Sequence, residues 1–263
     1  MDWRRIIILV QFDFRHTIFR LKGLLFLIPF LFFWYWLFYL FIKQGTDFLV
    51  SQQSFVITAW LFNPETAQSL LLINPPTLSV FLILSLATMP FFVMLAGNNQ
   101  LASDANNKTF RYLLTRCTRF EIFLARFISA YLLMAIATIC VGVIATIISL
   151  QYDGYALPET SQYAVQIILL TLLYALPFFT YMSAISAFMS SALGTLLMSM
   201  VLYILLIIFS HYMWEEFSLL PSYLKDTLLV SGKSDINIAI FGLLAYTLIY
   251  ASLGLIIFRK RNL

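Results

Sequence analysis

Six stretches of this chain are long and apolar enough to cross a lipid bilayer as helices. A transmembrane helix needs about 20 mostly apolar residues, and 62% of the residues are hydrophobic while 11% are charged. Because these stretches and their loops occupy the whole sequence, we expect one all-α polytopic membrane domain over residues 1–263, with no separate soluble domain. The predicted transmembrane helices are 23–42, 77–97, 123–149, 163–189, 192–211 and 237–258.

Lysine and arginine are unevenly distributed over the loops between these stretches. If the N-terminus is inside, 13 of the 16 basic residues are inside, in segments 2–22, 98–126 and 259–261. Loops rich in Lys and Arg stay in the cytoplasm. We therefore expect a multi-pass protein of the plasma membrane, of the bacterial inner-membrane type, with both termini cytoplasmic. The basic residues then left outside are Lys43, Lys225 and Lys233.

Residues 1–22 have the pattern of an amphipathic helix that lies on the membrane surface, the elbow helix of the predicted fold. Helices with a basic face and a large apolar face lie in the interface plane. The alternative is an ordinary charged flank of the first span. The polar face carries Arg4, Gln11, Arg15 and Lys22. The apolar face carries Trp3, Ile6, Ile7, Val10, Phe14 and Ile18.

A second irregular segment, residues 212–236, precedes the last predicted span. It mixes aromatic, acidic and apolar residues around Pro221, and a proline inside a helical pattern breaks the helix. We expect two short helices that are broken at Pro221 and dip into the outer leaflet. The alternative is a plain surface loop.

The predicted spans lack the residues on which several classes of membrane protein depend. No Asp, Glu, Lys or Arg lies in the middle of a span, whereas ion-driven carriers and charged-ring channels need such groups. The two histidines, His16 and His211, are too far apart for a metalloprotease motif, and no nucleotide-binding P-loop occurs. We therefore expect a chain that is not itself an enzyme and holds no cofactor or metal. If ATP drives it, another polypeptide must bind the ATP.

A polar loop at 98–122 separates the second and third predicted spans and has a helical pattern of its own. We expect a helix over 103–118, with Ser103 as its N-cap. Asp104 and Lys108 form an acid–base pair at the spacing i,i+4, which supports a helix. One apolar face of this helix is indicated by the spacing i, i+3, i+4, i+7. Its members are Phe110, Leu113, Leu114 and Cys117.

The end of this loop carries a signal for the start of another helix. Thr118 and Glu121 have the spacing of a capping box, in which each side chain bonds the other residue's backbone N–H. The loop is thus a short amphipathic helix, a turn near Cys117 and a fresh helix start. We interpret it as a docking element for a cytoplasmic protein. The alternative is a basic loop held on anionic lipid.

The segment SDANNKTFRYLLTRCTRFEIFLAR resembles the loop of ABC-2 type permeases, the membrane subunits of type V ABC transporters. The family pattern is an acidic residue, Gly-Thr, a Leu-Leu pair, a proline, Ser-Arg, an acid and Gly-Lys. Lys108 replaces the glycine of the pattern and Cys117 replaces its proline. The layout of the whole chain is similar to the family as well. The matching residues are Asp104, Thr109, Leu113, Leu114, Thr118, Arg119, Glu121, Ala125 and Arg126.

The resemblance implies a specific role for this loop. In the family it forms a coupling helix, which inserts into a cleft of a separate ATPase subunit that binds ATP and Mg²⁺. The turn at Ser190–Gly194 would be a second, smaller contact. The docking residues implied by the resemblance are Asp104, Lys108, Thr109, Phe110, Arg111, Leu113, Leu114, Arg119 and Glu121.

The resemblance also implies an exporter made of two permeases and two ATPases in the lipid bilayer, with no nucleic-acid partner. This chain would form the translocation pathway for a substrate that the sequence does not identify. Two alternatives stay open. One is a membrane scaffold or mechanical relay of the same fold, driven by an ATPase partner. The other is a carrier driven by an ion gradient, which the uncharged spans disfavour.

Overall fold

The chain folds into a bundle of long helices. A computed structural model describes residues 3–18, 21–44, 74–98, 100–102, 109–213, 220–229 and 233–261, and these contain no β-strand. The helices are α1 (Trp3–Ile18), α2 (Leu21–Gln44), α3 (Pro76–Gly97), α4 (Thr109–Leu113), α5 (Arg119–Tyr152), α6 (Leu157–Phe188), α7 (Ala192–Met213), α8 (Lys225–Leu229) and α9 (Lys233–Lys260). A 3₁₀ helix, Pro221–Leu224, leads directly into α8.

Five of these helices are long and apolar enough to span a membrane: α3, α5, α6, α7 and α9. The chain is therefore a helical multi-pass membrane protein, as its composition predicts. The first predicted span, 23–42, falls within α2, whose described apolar part is the shorter stretch Phe26–Tyr39. The count of six spans stays a prediction.

Helix α6 lies at the centre of the bundle and runs antiparallel to α7 but parallel to α9. The hydroxyl of Tyr181 donates to the carbonyl of Ser199 on α7 at 3.1 Å. The ring of the same tyrosine lies 5.6 Å from the ring of Tyr250 on α9. Gly254 lets α9 approach closely, since a Cβ there would lie 3.1 Å from the Cα of Ala184. Small residues at helix contacts are the usual means of close packing in membranes.

One end of the bundle, which we call the base, is where α3, α6 and α9 end and α5 and α7 begin. Six buried side chains from α4, α5, α6, α9 and the segment after α3 pack together there, and we call them the α4 cluster. Helix α5 starts at Arg119 and continues without a break for 34 residues, about 51 Å at 1.5 Å per residue. The observed helix is therefore longer at both ends than the predicted third span, 123–149. The α4 cluster is Leu101, Phe110, Ile122, Phe123, Ala187 and Phe258.

The amphipathic N-terminal segment is a helix, α1, and it packs along α5. Ile6 is buried although it was expected to face lipid, whereas Trp3 and Ile7 remain exposed. Asp13 forms an ion pair with Arg126 of α5. One side of α1 therefore contacts the protein itself, and its position on a membrane surface stays a prediction.

At the end of the bundle opposite the base, one carboxylate connects two helices. Asp153, just after α5, accepts from the backbone N–H of Thr77 at 3.1 Å and from its hydroxyl at 2.8 Å. Ser149 donates to the same carboxylate at 2.7 Å. Negative charge is favourable at a helix N-terminus, so Asp153 fastens the start of α3 to the end of α5.

The segment around Pro221 lies beside the bundle. The 3₁₀ helix begins at Pro221, and Leu224 packs so closely on Gly242 that a Cβ there would lie 2.7 Å from its Cδ1. The predicted helix before Pro221 falls partly on residues 214–219, which lie outside the described residues. The predicted insertion into the outer leaflet stays a prediction.

Candidate functional site

The predicted docking helix is fastened to the base of the bundle by an aromatic side chain. Phe110 of α4 is only 1% exposed. Its ring lies 5.2 Å from that of Phe258 near the end of α9. Phe258 in turn contacts Phe123 of α5, with ring centroids 6.4 Å apart. The ring of Phe110 therefore connects α4 to both α5 and α9.

The apolar face of α4 consequently points into the protein. Leu113, Leu114 and Cys117 are half-buried against the same α4 cluster. The sequence pattern identifies this face correctly, but its described contacts are with the chain itself. The face that remains outward carries Tyr112, which is 80% exposed, followed by the exposed Arg116.

Local hydrogen bonds define the turn that follows α4. The backbone N–H of Cys117 donates to the carbonyl of Leu113 at 2.9 Å. Thr118 then caps α5: its N–H donates to Glu121 Oε2 at 2.9 Å, and its hydroxyl accepts from the Glu121 N–H at 3.3 Å. The predicted capping box is confirmed. Glu121 is buried within this cap.

Two arginines connect the ends of three helices at the base. Arg119 Nη1 donates to the carbonyls of Phe258 at 2.9 Å, Arg259 at 2.6 Å and Arg261 at 2.9 Å. Arg261 Nη1 donates to the carbonyls of Ala187 at 2.7 Å and Met189 at 3.0 Å, where α6 ends. Helix C-termini carry unsatisfied carbonyls and a partial negative charge, which arginine satisfies.

Arg261 was not among the candidate site residues, although its place just after a span was a usable signal. Basic residues in or near the last helical turn often bond the final carbonyls. Burial lowers the pKa of the Arg261 guanidinium. Because arginine titrates far above neutrality, it stays charged and keeps its hold on α6.

The chain that leads from α3 toward α4 is bonded to α6. The backbone N–H groups of Leu101 and Ala102 donate to the hydroxyl of Ser186 at 2.9 and 3.1 Å. One turn earlier, the hydroxyl of Ser183 contacts Gln100 Oε1. The hydroxyl groups of these two serines therefore hold the start of the polar loop.

Helix α1 also reaches this region. Arg5 Nη1 donates to the carbonyl of Arg116 at 2.9 Å, in the turn between α4 and α5. The ion pair of Asp13 with Arg126 fastens α1 to α5 further along. The base is therefore a connected platform of α1, α4, α5, α6 and α9, and α4 lies on its surface.

The predicted docking residues have different positions in this platform. Phe110 and Glu121 are buried, whereas Leu113, Leu114 and Arg119 are half-buried. Thr109 and Arg111 belong to α4, but their side chains lie outside the described part of the structure. Asp104 and Lys108, with the predicted cap Ser103, fall among residues 103–108, which are not described, so the helix over 103–118 is seen only as the five residues of α4.

The predicted second contact lies beside this platform. Ser190 and Ser191 are exposed in the turn between α6 and α7, and Ser191 Oγ accepts from the N–H of Gly194 at 3.1 Å. Phe188 and Leu193 flank the turn and are 67% and 68% exposed. The turn therefore presents two large apolar side chains next to its serines.

No group of three or more His, Cys, Asp or Glu residues within the described ranges is placed to hold a metal ion. A comparison of the sequence with protein-family models finds no match, and a comparison with curated proteins finds none either.

Proposed function

We propose that this chain is the permease subunit of an ABC exporter of the ABC-2 type, coupled to a separate ATPase through α4. The observation that carries the proposal is the attachment of α4 to the base. A short helix on the surface of a multi-pass protein packs into one cluster with side chains of α5, α6 and α9, and Arg119 and Arg261 connect the ends of those three helices to one another. Such a helix can pass a movement of its partner to the transmembrane helices.

The proposed contact with the ATPase is the outward side of α4 and the turn after it. Tyr112 and Arg116 offer an aromatic ring and a cation there, residue types that are enriched where proteins bind each other. The exposed Phe188 and Leu193 extend this surface to the turn after α6. In this arrangement ATP and Mg²⁺ are bound by the partner subunit.

The proposal includes a second permease copy and the bilayer itself as partners. Helices α7 and α9 expose most of their apolar length, whereas α3 and α6 are largely buried. In a membrane these exposed faces contact lipid or another transmembrane subunit. The proposal includes a cytoplasmic base, since the segments rich in Lys and Arg belong to this end of the bundle and such segments stay in the cytoplasm.

The test is whether the full chain, purified from membranes of its own host, carries an ATPase. We expect vanadate-sensitive, Mg²⁺-dependent ATP hydrolysis in the wild-type preparation. The double variant Tyr112→Asp/Arg116→Glu should lose at least nine-tenths of that activity, because less ATPase stays bound to the chain. Each tenfold loss in binding corresponds to about 1.4 kcal/mol of binding free energy. Both side chains are exposed, so the fold should be retained.

The matched control is Tyr152→Asp, which changes an exposed tyrosine at the end of α5 opposite the base. It should keep the ATPase at the wild-type level. ATP hydrolysis that survives the double variant would show that α4 is not the docking element. Flux of a substrate in vesicles then separates an exporter from a mechanical relay of the same fold.

A further inference from the structure

A cavity of about 70 Å³ opens near the base, between α1, α2, α3 and α5. It is several times the roughly 10–15 Å³ that one water needs. It does not overlap the proposed docking surface of α4. Its lining residues are Asp13, Phe26, Leu95, Ala96, Asn98, Gln100, Arg126, Ser129, Ala130 and Leu133.

The polarity of this cavity changes in one direction. On α5, Arg126 and Ser129 lie nearer the start of the helix, and Leu133 lies deeper in the bundle. On the side of α3, Asn98 and Gln100 lie beyond the end of the helix. The polar lining therefore faces the base, and the apolar lining faces the interior of the bundle. A lipid has the same order of polarity, since its polar headgroup lies at the membrane surface and its apolar acyl chains lie deeper in the membrane.

The more accessible charged group in this cavity is an arginine. In the ion pair of Asp13 and Arg126, the aspartate side chain is only 4% exposed and the arginine side chain is 21% exposed. The carboxylate is thus the buried partner and the guanidinium the accessible one. An arginine in this position favours planar or tetrahedral anionic groups such as carboxylate and phosphate.

A buried amide at the rim gives an independent indication of a ligand. Gln100 is 6% exposed, and its Oε1 contacts the hydroxyl of Ser183. Its Nε2 is buried and has no hydrogen-bond partner within the described residues. Gly97 makes room for it, since a Cβ there would lie 3.1 Å from that nitrogen. Buried polar groups are rarely left without partners, and a phosphate oxygen would accept from this nitrogen.

We propose that this cavity binds the headgroup of an anionic phospholipid, with the phosphate between Arg126 and Gln100. The acyl chains follow the apolar lining along Phe26 and Leu133. Basic pockets between transmembrane helices at the cytoplasmic side are a known means of binding anionic headgroups. The site does not require an ATPase, so it can be tested separately from the proposed docking at α4.

Native mass spectrometry of the full chain in detergent measures this directly. We expect one phosphatidylglycerol to bind saturably and at least tenfold more tightly than phosphatidylcholine. Ala130→Phe, which fills the cavity and leaves the ion pair intact, should weaken phosphatidylglycerol binding at least tenfold. Ile136→Phe adds a ring to an exposed position of the same helix and should leave the binding unchanged.

Two further variants keep the test decisive if Ala130→Phe does not fold. Ala96→Leu fills the cavity from the side of α3, and Asp13→Asn/Arg126→Gln removes both charges together. Each should also reduce phosphatidylglycerol binding at least tenfold. Equal binding of the two lipids, or unchanged binding in the folded variants, would overturn the proposal. Displacement of the lipid by glycerol phosphate at equal concentration would overturn it too, since the ligand would then be a soluble anion.

Discussion

Phe110 shows how a single residue can be placed correctly on a helix face and still be misread. Its spacing with Leu113 and Leu114 predicts an apolar face, and α4 has that face. The partner of the face, however, is Phe258, which lies 148 positions further along the chain. A local pattern shows that a face is apolar, but only the tertiary contacts show what covers it.

The burial of Phe110 leads to a prediction about stability. Phe110→Ala removes a ring that is 1% exposed, and removing a buried aromatic side chain costs about 3–5 kcal/mol. We expect the purified protein to unfold at a temperature several degrees lower, as measured by differential scanning fluorimetry. Tyr112→Ala, at the exposed neighbouring position, should leave the unfolding temperature unchanged. Equal effects of the two variants would contradict the burial of Phe110 in the α4 cluster.

The capping residues Thr118 and Glu121 illustrate the kind of contact that a sequence does predict. Both partners lie within four positions, so the motif can be recognised without knowledge of the fold, and both hydrogen bonds are present. Arg119, directly beside them, was assigned to docking. Its guanidinium binds carbonyls 139–142 positions away, and no local pattern indicates those partners.

Among the elements, the contact between α6 and α9 depends most clearly on a glycine, whose lack of a side chain lets the two helices approach each other. The two helices run parallel, and Gly254 of α9 faces the backbone of α6 at Ala184. The predicted spans include both helices, because hydrophobic length is a strong signal. Which helices become neighbours is decided by the fit of small and large side chains along the whole interface, and span prediction contains no such information.

Gly254→Ala should therefore destabilise the protein. The new Cβ would lie 3.1 Å from the Cα of Ala184 and 3.1 Å from Cζ of Phe123, and backbone cannot move aside cheaply. Overpacking costs about 1–3 kcal/mol, which outweighs the gain of about 0.5–1 kcal/mol that alanine brings to a helix interior.

Gly242→Ala is the matched control for this substitution on the same helix. Its Cβ would meet the terminal Cδ1 of Leu224 at 2.7 Å, and a terminal methyl group can rotate away. We expect a lower unfolding temperature for Gly254→Ala and an unchanged or higher one for Gly242→Ala. The opposite order would show that α6 and α9 do not pack as closely as described.

For the whole molecule, the long helices explain why the basic residues can be concentrated at one end. Helix α5 runs away from the base, α6 returns to it, and α9 ends at it. This order brings Arg5, Arg116 and Arg261 to the same end of the bundle although they are far apart in sequence. That this end faces the cytoplasm is a prediction that rests on the positive-inside rule.

Cysteine labelling tests the orientation of the whole molecule. The chain has two cysteines, Cys117 and Cys140, and both are replaced by serine or alanine before Tyr112→Cys or Tyr152→Cys is introduced. The two tyrosines are 80% and 62% exposed and belong to opposite ends of the bundle. In intact cells, a membrane-impermeant maleimide should label Tyr152→Cys but label Tyr112→Cys only after permeabilisation. The reverse pattern would place the base outside the cytoplasm, where α4 could not meet an ATPase.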